Sequence, residues 1–226
     1  MSRETRTLTV LFADVTESSR LYNQLGDVAA RNAINGSLGA LVDLLPRYKG
    51  RLVKTLGDAV MCVFPDAANG VAAAREMQRV IADEVPGGHP IRMHIGLHAG
   101  SVIVDNDDVF GDTVNAAAFL TNAAMADQIL LSEATEQALP QDMKACVRPL
   151  FRSVLKGSTE ESAIYQVLWR QDNLELTDVN LMASRVLPAD AGSLVVELER
   201  TLAQVRDAVH DWRALQSAIG ADAATV

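Results

Sequence analysis

Asp14 closes the apolar run Leu11-Phe12-Ala13-Asp14-Val15-Thr16. Lys54 and Asp58 share the segment Leu52-Val53-Lys54-Thr55-Leu56-Gly57-Asp58, and Asp108 and Asn115 bracket Val109-Phe110-Gly111-Asp112-Thr113-Val114. A carboxylate at the end of a buried strand needs a partner, because an unpaired buried charge is costly. Two carboxylates together with substrate phosphates are the usual way to hold Mg²⁺ or Mn²⁺. Metal ions held so can activate a hydroxyl and stabilise charge on phosphates. Each residue also has a plainer reading. Asp14 can cap a helix, with Glu17 completing a capping box. Asp58 can be a turn residue after Gly57, Lys54 a solvated surface charge, and Asp108 one of the loop residues in Asp105-Asn106-Asp107-Asp108. Asn115 can cap local backbone at a helix start, and Lys156, in Leu155-Lys156-Gly157, can be an ordinary turn lysine.

The elements that must position these residues are legible from hydrophobic period and from breakers. Thr7 to Val15 predicts a buried strand. Glu17 to Leu45 carries Leu21, Leu25, Ala29, Ile34, Leu38, Leu41 and Leu45 at roughly helical spacing, which predicts one long helix stopped by Pro46. Arg51–Leu56 and Ala59–Phe64 predict a hairpin turning at Gly57-Asp58, ended by Pro65. Asp66 to Val85 predicts a second helix, with Val71, Ala74, Met77 and Ile81 on one face and Pro86-Gly87-Gly88 breaking it. Ile91 to Val104 predicts a long strand or a bent pair, since Gly96 and Gly100 interrupt it. A shorter helix from about Gly111 to Ala126, a strand from Gln128 to Ser132, a helix from Glu133 to Leu139 and two closing strands follow, the last from Ala163 to Trp169. The order strand, helix, strand, strand, helix, strand matches a ferredoxin-like βαββαβ core, an α+β fold with helices over one face of an antiparallel sheet. In that arrangement the first strand neighbours the hairpin, so Asp14 and Asp58 can converge.

After Trp169 the pattern changes. Gln171 to Asp190 has no clear period and reads as a linker. From Val195, apolar residues recur in steps of three and four (Leu198, Leu202, Val205, Val209, Trp212, Leu215, Ile219), which predicts an amphipathic helix with Ser193 at its N-cap. It can dock on its own domain or self-associate. The expected organisation is a catalytic domain over 1–169, a linker over 170–192 and a C-terminal helical tail over 193–226.

Bulk properties narrow the classes. Of 226 residues, 49% are hydrophobic, enough for a sizeable core, and the net charge of −9 argues against a general nucleic-acid or anionic-membrane binder. Cys62 and Cys146 form no CxxC pair, so neither a zinc site nor a disulfide framework is indicated; Cys62, in an apolar run, reads as a small core residue. Met1 to Arg6 is polar and charged, unlike a secretory leader. No apolar run approaches the ~18 residues needed to span a bilayer. A soluble, cytoplasmic protein is expected, with no sensor domain ahead of the catalytic segment.

Taken together, the three segments resemble the catalytic domain of class III adenylyl and guanylyl cyclases, over about Arg6 to Trp169. The resemblance implies that Asp14 and Asp58 hold two Mg²⁺ or Mn²⁺ ions, that Lys54 donates to the adenine ring, and that Asp108 accepts from its amino group. Asp108, rather than Asp107, keeps the spacing to Gly111 and Asn115. Guanylyl cyclases place other residue types at the base-reading positions, so ATP is the implied substrate. Asn115 is implied to orient the ribose and Lys156 to contact the terminal phosphates. The family builds each site between two cyclase domains, and only one is present, so a two-fold homodimer is implied. One family residue is absent. An arginine one helical turn after the asparagine stabilises the pentavalent phosphorus, but position 119 is Phe, and no arginine occurs between Arg92 and Arg148. Removing one such donor typically costs ~10²–10³ in rate.

Two expectations therefore stand. The first is an adenylyl cyclase making cyclic AMP and pyrophosphate from ATP. The alternative is a degenerate cyclase-like domain that binds nucleotide or dimerises in a regulatory role, which Phe119 favours and retention of the other five residues disfavours. A cyclic dinucleotide synthase lacks support, because no Gly-Gly-Asp/Glu-Glu-Phe run exists.

Overall fold

The computed structural model describes residues 4–155 and 160–170. Strand β1 (Glu4–Val15) lies in the middle of an eight-stranded sheet. Its apolar run is continuous rather than alternating because both faces are covered. Leu11, Ala13 and Val15 face the main core, and Val10 and Phe12 belong to a second cluster on the other side.

The expected single helix over Glu17–Leu45 is two helices, α1 (Ser18–Leu25) and α2 (Asp27–Leu44), followed by a 3₁₀ turn over Leu45–Tyr48 that contains Pro46. Gly26 breaks it, with φ 77° and ψ 163°, a conformation closed to residues with a Cβ. The apolar spacing continues across this break, so periodicity alone does not reveal it. Helix α2 ends at Leu44, two residues before Pro46, which enters the 3₁₀ turn near its start, where a missing N–H costs little.

The hairpin β2 (Arg51–Leu56) and β3 (Ala59–Phe64) forms as expected, with Gly57 at φ 66° supplying the turn. Helix α3 (Ala67–Glu84) starts at Asp66, whose carboxylate accepts from the Asn69 N–H at 2.8 Å. Next comes β4 (Met93–Asp105), one long strand, and then a short return strand, β5 (Asp108–Phe110), absent from the sequence expectation. Helix α4 (Asp112–Ala123), β6 (Ile129–Ser132), α5 (Glu133–Gln137), α6 (Gln141–Lys144), β7 (Val147–Val154) and β8 (Glu161–Val167) complete the described part.

The strand order is β2-β3-β1-β4-β6-β8-β7, with β5 against the far end of β4. The first four strands have the ferredoxin-like order. All pairs are antiparallel except β4–β6, which is parallel. Helices α2 and α3 pack on one face, with Leu41, Met77 and Ile81 buried there. Helix α4 lies on the other face and crosses β4 closely. A Cβ on Gly96 would come within 2.2 Å of the Thr121 nitrogen and 2.7 Å of the Ala117 carbonyl oxygen. This glycine therefore sets the height of α4 above the sheet. Gly96→Ala is expected to destabilise the fold by ~1–3 kcal/mol through overpacking, seen as a lowered Tm; an unchanged Tm would mean that α4 can lift away freely.

Cys62 is buried in the core, and burial pushes its thiol up to about 12, which leaves it unreactive. Among the described residues no helix is long and apolar enough to cross a membrane. The predicted C-terminal helix lies outside the described residues.

Candidate active site

Asp14 is the penultimate residue of β1 and is paired in register with Ala59 on one side and His94 on the other. Two backbone hydrogen bonds secure this end of the strand. The Val15 N–H donates to the Asp58 carbonyl at 3.3 Å, and the Thr16 N–H donates to the Arg92 carbonyl at 2.8 Å. The Asp14 and Asp58 backbones are thus neighbours, as the fold implies. Asp14 does not cap α1; Glu17 holds that position, without a side-chain hydrogen bond. Asp58 does lie in the β2–β3 turn.

The surroundings of the Asp14 carboxylate are unequal. Its Oδ2 lies 3.3 Å from His94 Nε2. Its Oδ1 is buried and has no hydrogen-bond partner. A buried, unsatisfied carboxylate oxygen is costly and calls for a cation or donor. His94 Nδ1 in turn lies 3.2 Å from the Thr16 hydroxyl. Neither His94 nor Thr16 stands out in the sequence. The only signal is that both sit beside Asp14 once β1 and β4 pair in register.

Lys54 and Asp108 form the second grouping. They are 54 residues apart, on β2 and β5, and Lys54 Nζ donates to Asp108 Oδ2 at 2.6 Å. A bulge between Leu52 and Lys54 shifts the β2 register. The Arg51 guanidinium donates to the Asp107 carbonyl at 2.7 Å, tying the β4–β5 turn to β2. The Asp108 carboxyl sits below its ordinary range, chiefly because of the Lys54 hydrogen bond, with the Val109 N–H adding to the effect. Lys54 also lies 5.8 Å from the Phe110 ring centroid. Beside the pair is a cavity of about 420 Å³ lined by Val53, Lys54, Asp105, Asn106, Asp107, Asp108 and Phe110. It includes none of Asp14, Asp58 and Asn115.

Asn115 is exposed on the first turns of α4. Phe119, one turn later, is half-buried and packs against the cluster of Ala116, Leu120, Leu130, Leu155 and Ile164. The ring is therefore part of the packing between α4 and β6–β8, and no cation occupies this position. Lys156 lies outside the described residues. Asp14 is thus joined to Asp58 through the backbone, Lys54 to Asp108 through their side chains, and Asn115 stands on α4.

Residues 1–168 match the family described as the adenylate and guanylate cyclase catalytic domain. An adenylate cyclase of Streptomyces coelicolor is 33% identical over 135 residues, covering 59% of this chain and 34% of that protein. An uncharacterized protein of Mycobacterium tuberculosis is 33% identical over 169 residues, covering 72% of this chain and 56% of that protein. The chain thus spans between a third and somewhat over half of these relatives. Among solved structures, the catalytic core of a rhodopsin-guanylyl cyclase with converted specificity, in complex with ATPαS, superposes with TM-score 0.67 at 25% identity, over 74% of this chain and 98% of that one. The adenylyl cyclase CyaB from P. aeruginosa has the same fold, with TM-score 0.66 at 24% identity, over 76% of this chain and 99% of that one.

Proposed function

The chain belongs to the adenylate and guanylate cyclase catalytic-domain family, and on that premise we propose that it is an adenylyl cyclase. It converts ATP to 3′,5′-cyclic AMP and pyrophosphate at a site built by two copies of the chain. The ribose 3′-oxygen loses its proton and bonds to the α-phosphorus, and the bond from that phosphorus to the pyrophosphate oxygen breaks. The observation that carries the choice of ATP is the Lys54–Asp108 pair, 2.6 Å apart and bordering a cavity. The lysine supplies a donor for the adenine ring nitrogen and the aspartate an acceptor for the amino group; guanine reverses both. The pair is already aligned, so its ordering cost is met before the base arrives.

The residues present fit a divalent cation. Asp14 Oδ1 is buried and unpartnered, the Asp58 backbone is its neighbour, and both donors are hard oxygens, as Mg²⁺ or Mn²⁺ prefers. Bound there, the cation would lower the pKa of the 3′-hydroxyl and neutralise phosphate charge. Asn115 orients the ribose, and Lys156 contacts the terminal phosphates.

The homodimer is supported by the cavity beside Lys54 and Asp108, which none of Asp14, Asp58 and Asn115 lines. Leu56, Ile103 and Phe110, all exposed, provide apolar surface for a partner. A structural neighbour is itself described as a non-canonical dimeric guanylyl cyclase domain. The division into a catalytic domain over 1–169, a linker and a C-terminal helix, and a cytoplasmic location, belong to the same proposal. Phe119 supports a second reading, a nucleotide-binding or dimerising domain without turnover, because it fills the place of a cation with an apolar ring.

The test is product formation from ATP and GTP with Mn²⁺ at several protein concentrations. Cyclic AMP rising more steeply than protein concentration is expected. A folded dimer that makes no product from either nucleotide would leave the second reading. The base-reading assignment has its own check. Lys54→Met is expected to cut the preference for ATP over GTP, measured as the ratio of kcat/KM values, by ~10–100-fold, the usual worth of a charge-assisted hydrogen bond. The fold should be unaffected, because the ion pair is about a third exposed (37% and 35%) and such pairs contribute under ~1 kcal/mol. An unchanged preference would remove Lys54 from the base site.

A further inference from the structure

His94 contacts Asp14 and Thr16 at once. Its Nε2 lies 3.3 Å from Asp14 Oδ2 and its Nδ1 3.2 Å from the Thr16 hydroxyl. His94 is directly opposite Asp14 in the β1–β4 register, and Thr16 lies in the turn just beyond the end of β1. The imidazole therefore bridges the end of β1 and the turn that follows it, and it is largely enclosed, with 16% of the side chain exposed.

We infer that His94 is a positioning residue for the Asp14 carboxylate, fixing which oxygen is presented to a divalent cation. The inference rests on Asp14 being a metal ligand. A hydroxyl can donate to Nδ1, and that leaves the ring proton on Nε2, facing Asp14 Oδ2. Thr16 selects the tautomer, His94 holds one carboxylate oxygen, and the other, Oδ1, is left buried and without a partner. A free aspartate would divide its time among rotamers, each offering a different oxygen to the cation. Here the choice is made beforehand, by groups that do not themselves touch the metal. Outer groups of this kind typically change metal affinity by 10–100-fold when removed.

The test is a Mn²⁺ titration of the full 226-residue chain, with free Mn²⁺ read from its electron paramagnetic resonance signal and no nucleotide present. Thermal melts of each variant accompany it. Asp14→Ala is expected to lose the site. His94→Ala and His94→Phe are expected to weaken it by ~10-fold or more. His94→Gln, which keeps an N–H donor at similar reach, is expected to recover most of the affinity. Thr16→Val, which keeps the shape and loses the hydroxyl, is expected to weaken it by a few-fold. If Asp14→Ala abolishes binding while His94→Ala and His94→Phe bind as the unmodified chain does, the positioning role is overturned and the metal site stands. If His94→Gln binds as weakly as His94→Ala at an equal Tm, the donor role is likewise overturned. If the unmodified chain or Asp14→Ala shows that Asp14 contributes nothing to Mn²⁺ binding, the metal reading itself falls, and the inference with it.

Discussion

Asp58→Ala is expected to reduce cyclic AMP formation by ~10³-fold or more while leaving a folded protein of unchanged oligomeric state. The size follows from the proposed role: a metal ligand helps to neutralise phosphate charge in the transition state, worth several kcal/mol, and ~4 kcal/mol corresponds to ~10³ in rate. The substitution is also clean. The contact that anchors the β2–β3 turn to β1 is made by the Asp58 backbone carbonyl, which accepts from the Val15 N–H, and the positive φ of the turn belongs to Gly57. Alanine removes the carboxylate and keeps both. Product assays at saturating Mn²⁺, with sedimentation of the same samples, provide the measurement. Turnover equal to that of the unmodified chain would take Asp58 out of the metal site.

The second large effect is expected from Phe119→Arg, and in the opposite direction. Supplying a guanidinium one turn after Asn115 should raise kcat by ~10²-fold, the lower end of what one electrostatic stabiliser contributes. The gain comes with a stability cost, because Phe119 packs against Ala116, Leu120, Leu130, Leu155 and Ile164. The ring is only half-buried, and an arginine stem can lie along the same apolar surface with its charged end in water. The cost should therefore be ~1–2 kcal/mol, less than the 3–5 of a fully truncated buried ring, or a fall of ~2–8 °C in Tm for a domain of this size. A folded variant with no gain in rate from ATP would show that missing charge at position 119 is not what limits turnover.

Asp14 and Asp58 illustrate what could be read before any fold was known. Each lies at the edge of a strand whose apolar content is strictly local information, and the Gly57-Asp58 turn follows from the positive φ that glycine permits. The hairpin, α3, and the order of the ferredoxin-like core follow from the same local signals, whereas the capping role of Asp66 is seen only in the structure. Where period was the only signal, it failed at single residues. Apolar spacing runs through the break at Gly26 and hides it, and the three residues of β5 are too few to show an alternation.

The pairing of Lys54 with Asp108, the tether of Asp14 to His94 and Thr16, and the seating of Phe119 on an apolar cluster were decided only by the tertiary structure. Residue types and spacings along the chain determined that carboxylates, a lysine and an amide were available, and which face of each element would be buried. They did not determine which of these groups meet. Lys54 and Asp108 are 54 residues apart, and Thr16 and His94 are 78. Such contacts depend on the β1–β4 register, the bulge in β2 and the height of α4 above Gly96, each set by packing of the whole sheet. A shift of one residue in register would turn His94 to the opposite face from Asp14, because successive side chains of a strand point to opposite sides.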